Sequence, residues 1–153
     1  MGPETLQSRT GEVLHELFKE VFALQAVLSR LMDRVHEKAG LSTPQRRVMQ
    51  ILKHLGPATV PDIAARLGVT RQSIQVVCND LLSHGFIEFR ANPRHKRSKL
   101  AALTANGNRA YDMAQQNEYA AIEHILGQID ADAAEGARQL LAQIRIALET
   151  ETP

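Results

Sequence analysis

The chain has 153 residues, of which 44% are hydrophobic, 4% are aromatic and one is cysteine, and its formal net charge is +1. This length and apolar content suit one folded unit, and the shortage of aromatic residues favours a core of aliphatic side chains on helices. The composition excludes an internal disulfide, because Cys78 stands alone, and no apolar run reaches the roughly 18 residues of a membrane-spanning helix.

The first predicted element follows a polar N-terminal segment, Met1 to Thr5, which lacks the apolar region of a secretory signal and so indicates a cytoplasmic protein. From Val13 to Val35 apolar residues recur at steps of three and four, which predicts one long amphipathic helix ended by Gly40. Ser42-Thr43-Pro44 then supplies a capping hydroxyl and a proline at a first helical position. A second helix is therefore expected to run to about Leu55.

Two short helices joined by a tight turn are predicted in the centre of the chain. The third helix opens at Pro61 and ends at Gly68, a residue suited to a left-handed helix C-terminus. Thr70 is the predicted cap of the fourth helix, and Gly85 marks its end. This spacing is the helix-turn-helix pattern. The buried stripe of the fourth helix is predicted to be Ile74, Val77, Cys78, Leu81 and Leu82.

A β-hairpin with a basic tip is predicted next. Phe86 to Arg90 has the composition of a strand, and Lys99 to Leu103 is a weaker second strand. Between them, Asn92-Pro93 forms a turn element. The basic residues of the tip are Arg94, His95, Lys96 and Arg97. A hairpin in this position is the wing of a winged helix-turn-helix module.

Two further helices complete the predicted chain, a fifth capped by Thr104 and a sixth starting at Asp130 or Asp132. The predicted fold class is mainly α (α+β), with a winged helix-turn-helix domain at 44–104 that carries a two-stranded wing. Residues 5–40 and 105–150 form a helical region within the same compact chain. Because these helices carry more apolar surface than the winged module can cover, they are expected to form a homodimer. The alternative is that they cover only their own subunit.

The charges are distributed unevenly along the chain. Residues 44–104 hold ten basic and three acidic residues, a balance of +7, whereas the flanks have a balance of −6. Such asymmetry is typical of a surface that binds phosphates. A solvated basic face without a partner is the alternative.

Five sequence segments, taken in chain order, resemble the MarR family of transcription regulators. The resemblance covers nearly the whole chain. The segments are Leu41-Ser42-Thr43-Pro44-Gln45, Asp62-Ile63-Ala64-Ala65-Arg66-Leu67-Gly68-Val69, Leu81-Leu82-Ser83-His84-Gly85-Phe86-Ile87, Asn92-Pro93-Arg94-His95-Lys96-Arg97 and Leu103-Thr104-Ala105-Asn106-Gly107. The resemblance implies a homodimer with intertwined terminal helices, whose two winged domains straddle a pseudo-palindromic operator in double-stranded DNA. It also implies regulation, usually repression, often controlled by small phenolic or other aromatic anions.

The chain departs from the family pattern at both elements that would contact DNA. Asn92 and His95 stand where the family wing usually carries acidic residues. Val76 and Asp80 stand where the recognition helix often has arginines. Base preferences therefore cannot be transferred from the family.

Ten residues are predicted to contact DNA. In the major groove, Gln and Asn can pair with adenine, Arg with guanine, and Val76 can touch a thymine methyl group. Ser73 would bond a phosphate or help to cap its helix. The resemblance implies that Arg94 enters the minor groove, where arginine suits a narrow groove, and the rest of the wing tip would hold phosphates. The predicted set is Arg71, Gln72, Ser73, Gln75, Val76, Asn79, Arg94, His95, Lys96 and Arg97. The alternatives are a solvated helix face and a merely soluble loop tip.

Sensor sites are not predicted. Cys78 lies on the predicted buried stripe, so core packing is expected rather than redox sensing. The six histidines include no pair at metal-ligand spacing, so neither a metal site nor a cofactor is predicted. Tyr111, Met113 and Tyr119 could line an effector pocket, but a place in the core is preferred, and the ligand-binding residues stay unknown.

An enzyme is the least supported class, because the sequence has no glycine-rich phosphate loop, nucleophile motif or metal-ligand pair. The sequence predicts a homodimeric, sequence-specific DNA-binding transcription regulator, a repressor released by a small aromatic or phenolic ligand. One alternative is a winged-helix protein-interaction module, for which Val76 and Asp80 leave room. Another is a redox- or metal-responsive regulator.

Overall fold

A computed structural model describes residues 9–151, so the predicted polar start and residues 5–8 of the helical region lie outside the described residues. In this part of the chain the elements are α1 (Arg9–Lys38), α2 (Thr43–Leu55), α3 (Val60–Leu67), α4 (Arg71–Ser83), β1 (Ile87–Arg90), β2 (Leu100–Leu103), α5 (Ala105–Leu126) and α6 (Ala131–Glu151). They confirm the mainly α (α+β) class with a winged helix-turn-helix and a two-stranded wing. None of the described helices has the length and apolarity that crossing a membrane requires.

Capping residues set the starts of the helices in the winged module. Ser42 caps α2 through a capping box, in which its hydroxyl accepts from the Gln45 backbone and its own N–H donates to the Gln45 side chain. Thr59 caps α3 and Thr70 caps α4 in the same way, each accepting from a backbone N–H three residues ahead. Gly68 ends α3 with a φ of +65°, the left-handed conformation that glycine adopts without strain.

The core lies where α2, α3 and α4 meet the wing and α5. Its largest fully buried side chains include Met49 of α2, Ile63 of α3, Leu81 of α4 and Tyr111 of α5. The two strands pair antiparallel from Ile87↔Leu103 to Arg90↔Leu100. A further bridge joins Ala58 to Ala101, so the loop before α3 is fastened to β2. The wing is therefore built onto the helical core.

Each strand begins one residue later than predicted. Phe86 was expected in the first strand, but its N–H donates to Leu81 O at 2.9 Å and closes the end of α4. Lys99 was expected in the second strand, which starts at Leu100. Strand composition extends through both residues, and hydrogen bonding decides where the ladder stops.

The chain divides into two compact units, one up to Glu118 and the other from Tyr119 onward. The first unit contains the core described above. In the second, Asp130 Oδ1 accepts from the Ala133 N–H at 2.8 Å at the start of α6, and α6 buries none of its residues. The division into a winged domain at 44–104 and a dimerisation region at 5–40 and 105–150 concerns assembly and stays a prediction.

Large apolar side chains are exposed in both units. In α1 they are Val13, Phe22, Leu24, Val27 and Leu28. In the second unit they are Tyr119, Ile122, Ile125, Leu126, Ile129, Leu140, Leu141, Ile146 and Leu148. Of the apolar stripe predicted between Val13 and Val35, only Val35 is buried. Three of the ten stripe residues, Val13, Leu24 and Leu28, are exposed, and six others are only partly buried.

Candidate nucleic-acid interface

The predicted recognition helix, α4, follows a short turn that fixes its first residues. The Val69 N–H donates to Ala64 O at 3.1 Å, which closes α3 behind the turn. Thr70 Oγ1 accepts from the Ser73 N–H at 3.1 Å and lies 2.7 Å from Ser73 Oγ. Ser73 is thus part of the cap, one of the two roles considered for it, while its predicted phosphate contact stays a prediction.

One face of α4 enters the core and the opposite face is open to water. Ile74, Cys78 and Leu81 are buried. Of the other two residues predicted in this stripe, Val77 is half-buried and Leu82 is 44% exposed, so the prediction of a buried Leu82 was wrong. Leu82 lies beyond the narrow stripe at the last turn of the helix, where neighbouring elements no longer cover it. The exposed residues are Arg71, Gln72, Ser73, Gln75, Val76 and Asn79.

Two of the exposed side chains are already ordered. Gln75 Nε2 donates to Asn79 Oδ1 at 2.9 Å, one helical turn along the face. Val76 lies between them in sequence and is 63% exposed. The two amides and this aliphatic side chain form a small surface of mixed chemistry, suited to base edges and thymine methyl groups.

The wing tip is a sequence of tight turns that displays basic side chains. Asn92 organises it, since its Oδ1 accepts from the Arg94 N–H at 3.0 Å and its backbone oxygen accepts from the His95 N–H at 3.3 Å. The Ser98 N–H then donates to His95 O at 3.1 Å. All four predicted wing residues, Arg94, His95, Lys96 and Arg97, are exposed.

The wing lies beside α4 rather than apart from it. A cleft of about 380 Å³ is lined by Val60 of α3, Gln75 of α4, Phe89 of β1 and Arg97 of the wing loop, among others. A second cleft, of about 530 Å³, is lined by Thr59, Asp62, Arg94 and His95, among others. The fold thus brings the predicted helix and wing residues onto one module.

The arginines and the lysine of the predicted interface have no acidic partner among the residues that the structure describes. Within residues 9–151, no ion pair engages Arg71, Arg94, Lys96 or Arg97. Three other basic residues of the 44–104 segment do have acidic partners: Arg46 with Glu118, Lys53 with Asp112 and Arg90 with Glu88. The regional charge count therefore overstates the free basic charge of this segment, and its role in binding DNA stays a prediction.

Sequence reasoning missed a buried polar cluster that joins α1, α2 and α5. Arg46 is 5% exposed; its Nη2 donates to Glu118 Oε2 at 3.0 Å, and its guanidinium lies 4.0 Å from the Tyr111 ring centre. Its Nε is 2.7 Å from Glu118 Oε1 without the alignment of a hydrogen bond, and its buried Nη1 has no partner among the described residues. His36, also buried, reaches Glu118 Oε1 at 2.8 Å and Thr43 Oγ1 at 2.9 Å. The spacing of these residues along the chain gave no signal of this contact.

Sequence reasoning also missed the role of Asp80. Its Oδ2 accepts from Gln45 Nε2 at 2.6 Å, and its Oδ1 lies 3.5 Å from His84 Nδ1. Asp80 departs from the family pattern, and in the structure its carboxylate joins α4 to α2.

The residues considered as sensors or as effector-pocket lining differ in their burial. Cys78 is fully buried, as expected, and desolvation raises the pKa of its thiol to about 11. Tyr111 is a core residue, as preferred. Met113 and Tyr119 are 58% and 63% exposed, so the preference for core was wrong for both, because α5 turns these positions away from the packed face. Within the described part of the chain, no group of three His, Cys, Asp or Glu residues could hold a metal ion.

Comparison with known protein sequences shows similarity to transcription regulators. The model of the MarR family matches residues 39–98. An uncharacterised protein of Mycobacterium tuberculosis is 33% identical over 143 residues, covering 94% of this chain and 99% of its own length. The HTH-type transcriptional regulator PetP of Rhodobacter capsulatus is 28% identical over 106 residues, which are 69% of this chain and 64% of PetP.

Solved structures show the same fold. A MarR family transcription regulator superposes with a TM-score of 0.78 at 22% identity, covering 96% of this chain and 99% of that one. A cysteine-to-serine variant of MarR from E. coli, crystallised with operator DNA, superposes with a TM-score of 0.72 at 19% identity, covering 90% and 98%.

Proposed function

The chain belongs to the MarR family of DNA-binding transcription regulators, and from this premise we propose that it is a homodimeric repressor of a pseudo-palindromic operator, released by a small aromatic or phenolic ligand. The observation that carries the proposal is one module on which an exposed polar helix face lies beside a wing with unpaired basic side chains. Duplex binding requires this combination, since phosphate contacts position a protein and base-edge contacts give specificity.

The proposed contacts divide between the two elements. α4 enters the major groove with Arg71, Gln72, Gln75, Val76 and Asn79, and Ser73 meets a phosphate at its first turn. Arg94 enters the minor groove, and His95, Lys96 and Arg97 hold phosphates on either side. The fold shared with the operator-bound E. coli protein supports this arrangement.

A second copy of the chain is the proposed occupant of the exposed apolar surfaces. Leu24, Val27 and Leu28 of α1 follow helical spacing, as do Leu141 and Leu148 of α6. Exposed apolar residues in such a pattern mark an interaction surface. A two-fold dimer would also place two α4 helices at half-sites one turn of DNA apart, which a palindromic operator matches.

The alternatives gain little from the structure. Asp80 left room for a protein-interaction module, but its carboxylate, although exposed, already has a hydrogen-bond partner in Gln45. Burial of Cys78 and the raised pKa of its thiol do not favour a redox-responsive regulator.

Fluorescence anisotropy with duplexes that tile the DNA upstream of the gene would test operator binding, at two salt concentrations. We expect one palindromic tile to bind tightly and the logarithm of the affinity to fall steeply with the logarithm of salt concentration. Arg94→Ala should weaken binding, whereas Arg138→Ala, which removes the same charge from α6, should not. Absence of binding to every tile at low salt would contradict the proposal and favour the interaction module.

The same assay tests repression by release. Phenolic and other aromatic carboxylates, added to the preformed complex, are expected to lower its anisotropy to that of free DNA. Sedimentation equilibrium should give twice the chain mass. A monomeric mass at the concentrations that bind DNA would contradict the homodimer.

A further inference from the structure

We propose that Gln45 and Asp80 are positioning residues for operator recognition, which together fix the rotation of α4 about its own axis. This inference rests on the proposed DNA binding and concerns how the recognition helix is aimed. Neither residue belongs to the predicted set of DNA contacts. Asp80 instead occupies a position where the resembling family often carries an arginine.

The Gln45 amide uses both of its ends. It is only 6% exposed, its Oε1 accepts from the Ser42 N–H at 2.7 Å, and its Nε2 donates to Asp80 Oδ2 at 2.6 Å. Exchanging the amide oxygen and nitrogen would set a donor against the Ser42 N–H and an acceptor against the carboxylate. The amide therefore has a single satisfied orientation, dictated by one contact in α2 and one in α4.

Asp80 also contacts the residues at the C-terminal end of α4. The ring of His84 lies near both acceptors of Asp80, with Nδ1 2.8 Å from the backbone oxygen and 3.5 Å from Oδ1. The ring also stacks on Phe86, with centres 5.8 Å apart and planes 17° apart. Ser83 Oγ donates to the same backbone oxygen at 2.7 Å. The contact with buried Gln45 is thus continuous with the turn that leads into the wing.

A directional contact adds something that the apolar packing of α4 lacks. Ile74, Cys78 and Leu81 pack α4 into the core, and hydrophobic contacts of this kind are non-directional. A charge-assisted hydrogen bond at the edge of the stripe resists rotation, because its strength depends on distance and angle. Recognition groups must be held to within about 0.5 Å of their productive positions. Asp80 follows Asn79 directly, so a rotation at Asp80 would displace the face proposed to contact bases.

The test reverses the hydrogen bond without changing the net charge. Gln45→Glu keeps an acceptor for the Ser42 N–H but places a second carboxylate against Asp80. Asp80→Asn keeps an acceptor for Gln45 Nε2. In the double variant, the Asn amide can donate to the Glu carboxylate, so the bond is restored with its direction exchanged. Gln50→Glu adds the same charge at an exposed position of α2 and is the matched control.

The readout is the ratio of affinities for the operator and for a scrambled duplex. We expect Gln45→Glu to lower this ratio about tenfold, the effect of losing a hydrogen bond to a charged group. The double variant should recover to within about threefold of the wild type. Asp80→Asn keeps the bond but removes its charge, so it should lower the ratio less than Gln45→Glu does, and Gln50→Glu should leave the ratio unchanged. Because the double variant has the charge of the wild type, its salt dependence should also be unchanged.

Three results would overturn the inference: an unchanged ratio in Gln45→Glu, an equal loss on both duplexes, or a folded double variant without recovery. If Gln45→Glu does not fold, Asp80→Ala replaces it, since it removes the acceptor without opposing two carboxylates, and it should lower the ratio similarly. Failure of the wild type to bind any duplex would overturn the proposed function and this inference with it. Wild-type binding with unaffected variants overturns the inference alone.

Discussion

The two compact units differ in how far along the chain their polar contacts reach. In the first unit, His36 and Arg46 both meet Glu118, and Gln45 meets Asp80, so each contact joins different helices. In the second unit, the ion pairs join residues three or four apart on α6, between Glu135 and Arg138 and between Arg145 and Glu149. Long-range polar contacts accompany a closed core, whereas local ones accompany a helix with no buried residue. The polar contacts of the first unit thus hold separate helices to one another, whereas those of α6 hold that helix only to itself.

Removing a buried cation should give the largest contrast between the units. Arg46→Met leaves the Glu118 carboxylate without its guanidinium partner and is expected to lower the free energy of unfolding by about 3–5 kcal/mol. Arg145→Met, the matched change at an exposed pair, should cost no more than about 0.5 kcal/mol. Urea unfolding at one fixed protein concentration measures both. Losses of similar size would contradict the distinction between a buried cluster and a solvated pair.

Two glycine substitutions should have opposite signs. A Cβ at Gly107 in α5 would lie 1.9 Å from the backbone oxygen of Phe86, so Gly107→Ala is expected to cost about 1–3 kcal/mol or more. A Cβ at Gly136 in α6 meets nothing within 4 Å, so Gly136→Ala should stabilise the protein by about 0.5–1 kcal/mol, through helix propensity. Thermal unfolding of the two variants checks this. Destabilisation by Gly136→Ala would show that the space around α6 is filled by a partner.

Thiol reactivity compares the units with the least disturbance to the fold. Burial raises the pKa of Cys78 from 9.0 to about 11, which lowers its thiolate fraction at pH 8 by about a hundredfold. We expect its alkylation to be slow at pH 8 and to speed up as the pH approaches the raised pKa. Gln128→Cys, an added thiol at an exposed position of the second unit, should react at the rate of a free thiol. Peptide mass spectrometry of the Gln128→Cys variant, which has two thiols, follows alkylation at both sites. Equal alkylation rates at the two cysteines would contradict a buried Cys78.

The sequence predicted the elements well because their signals are local. Helical spacing, the hydroxyl caps at Ser42 and Thr70, and the glycine at position 68 each act within one or two turns of chain. The exposed face of α4 followed from the same spacing, whereas its contacts with DNA stay predictions. Burial of Arg46 and the bond between Gln45 and Asp80 were not predicted, because each depends on a partner tens of residues away. The predicted burial of Leu82 and Met113 was wrong for the same reason. Spacing identifies one face of a helix, but it does not show where the element that packs on that face ends.

At the junction between α4 and α5, a tilt of α5 becomes a displacement of the end of α4. The Thr104 N–H donates to Phe86 O at 3.0 Å, Thr104 Oγ1 donates to Gly85 O at 2.6 Å, and Gly107 leaves no room for a side chain between them. The exit of the recognition helix and the first turn of α5 must therefore move together. The stretch of α5 from Ala105 to Glu118 is about 20 Å long, so a tilt of about 10° around its Glu118 end moves the junction by about 3.5 Å. That displacement is roughly the rise of one base pair, so even a small tilt of α5 is comparable in size with the spacing of the bases that α4 is proposed to contact.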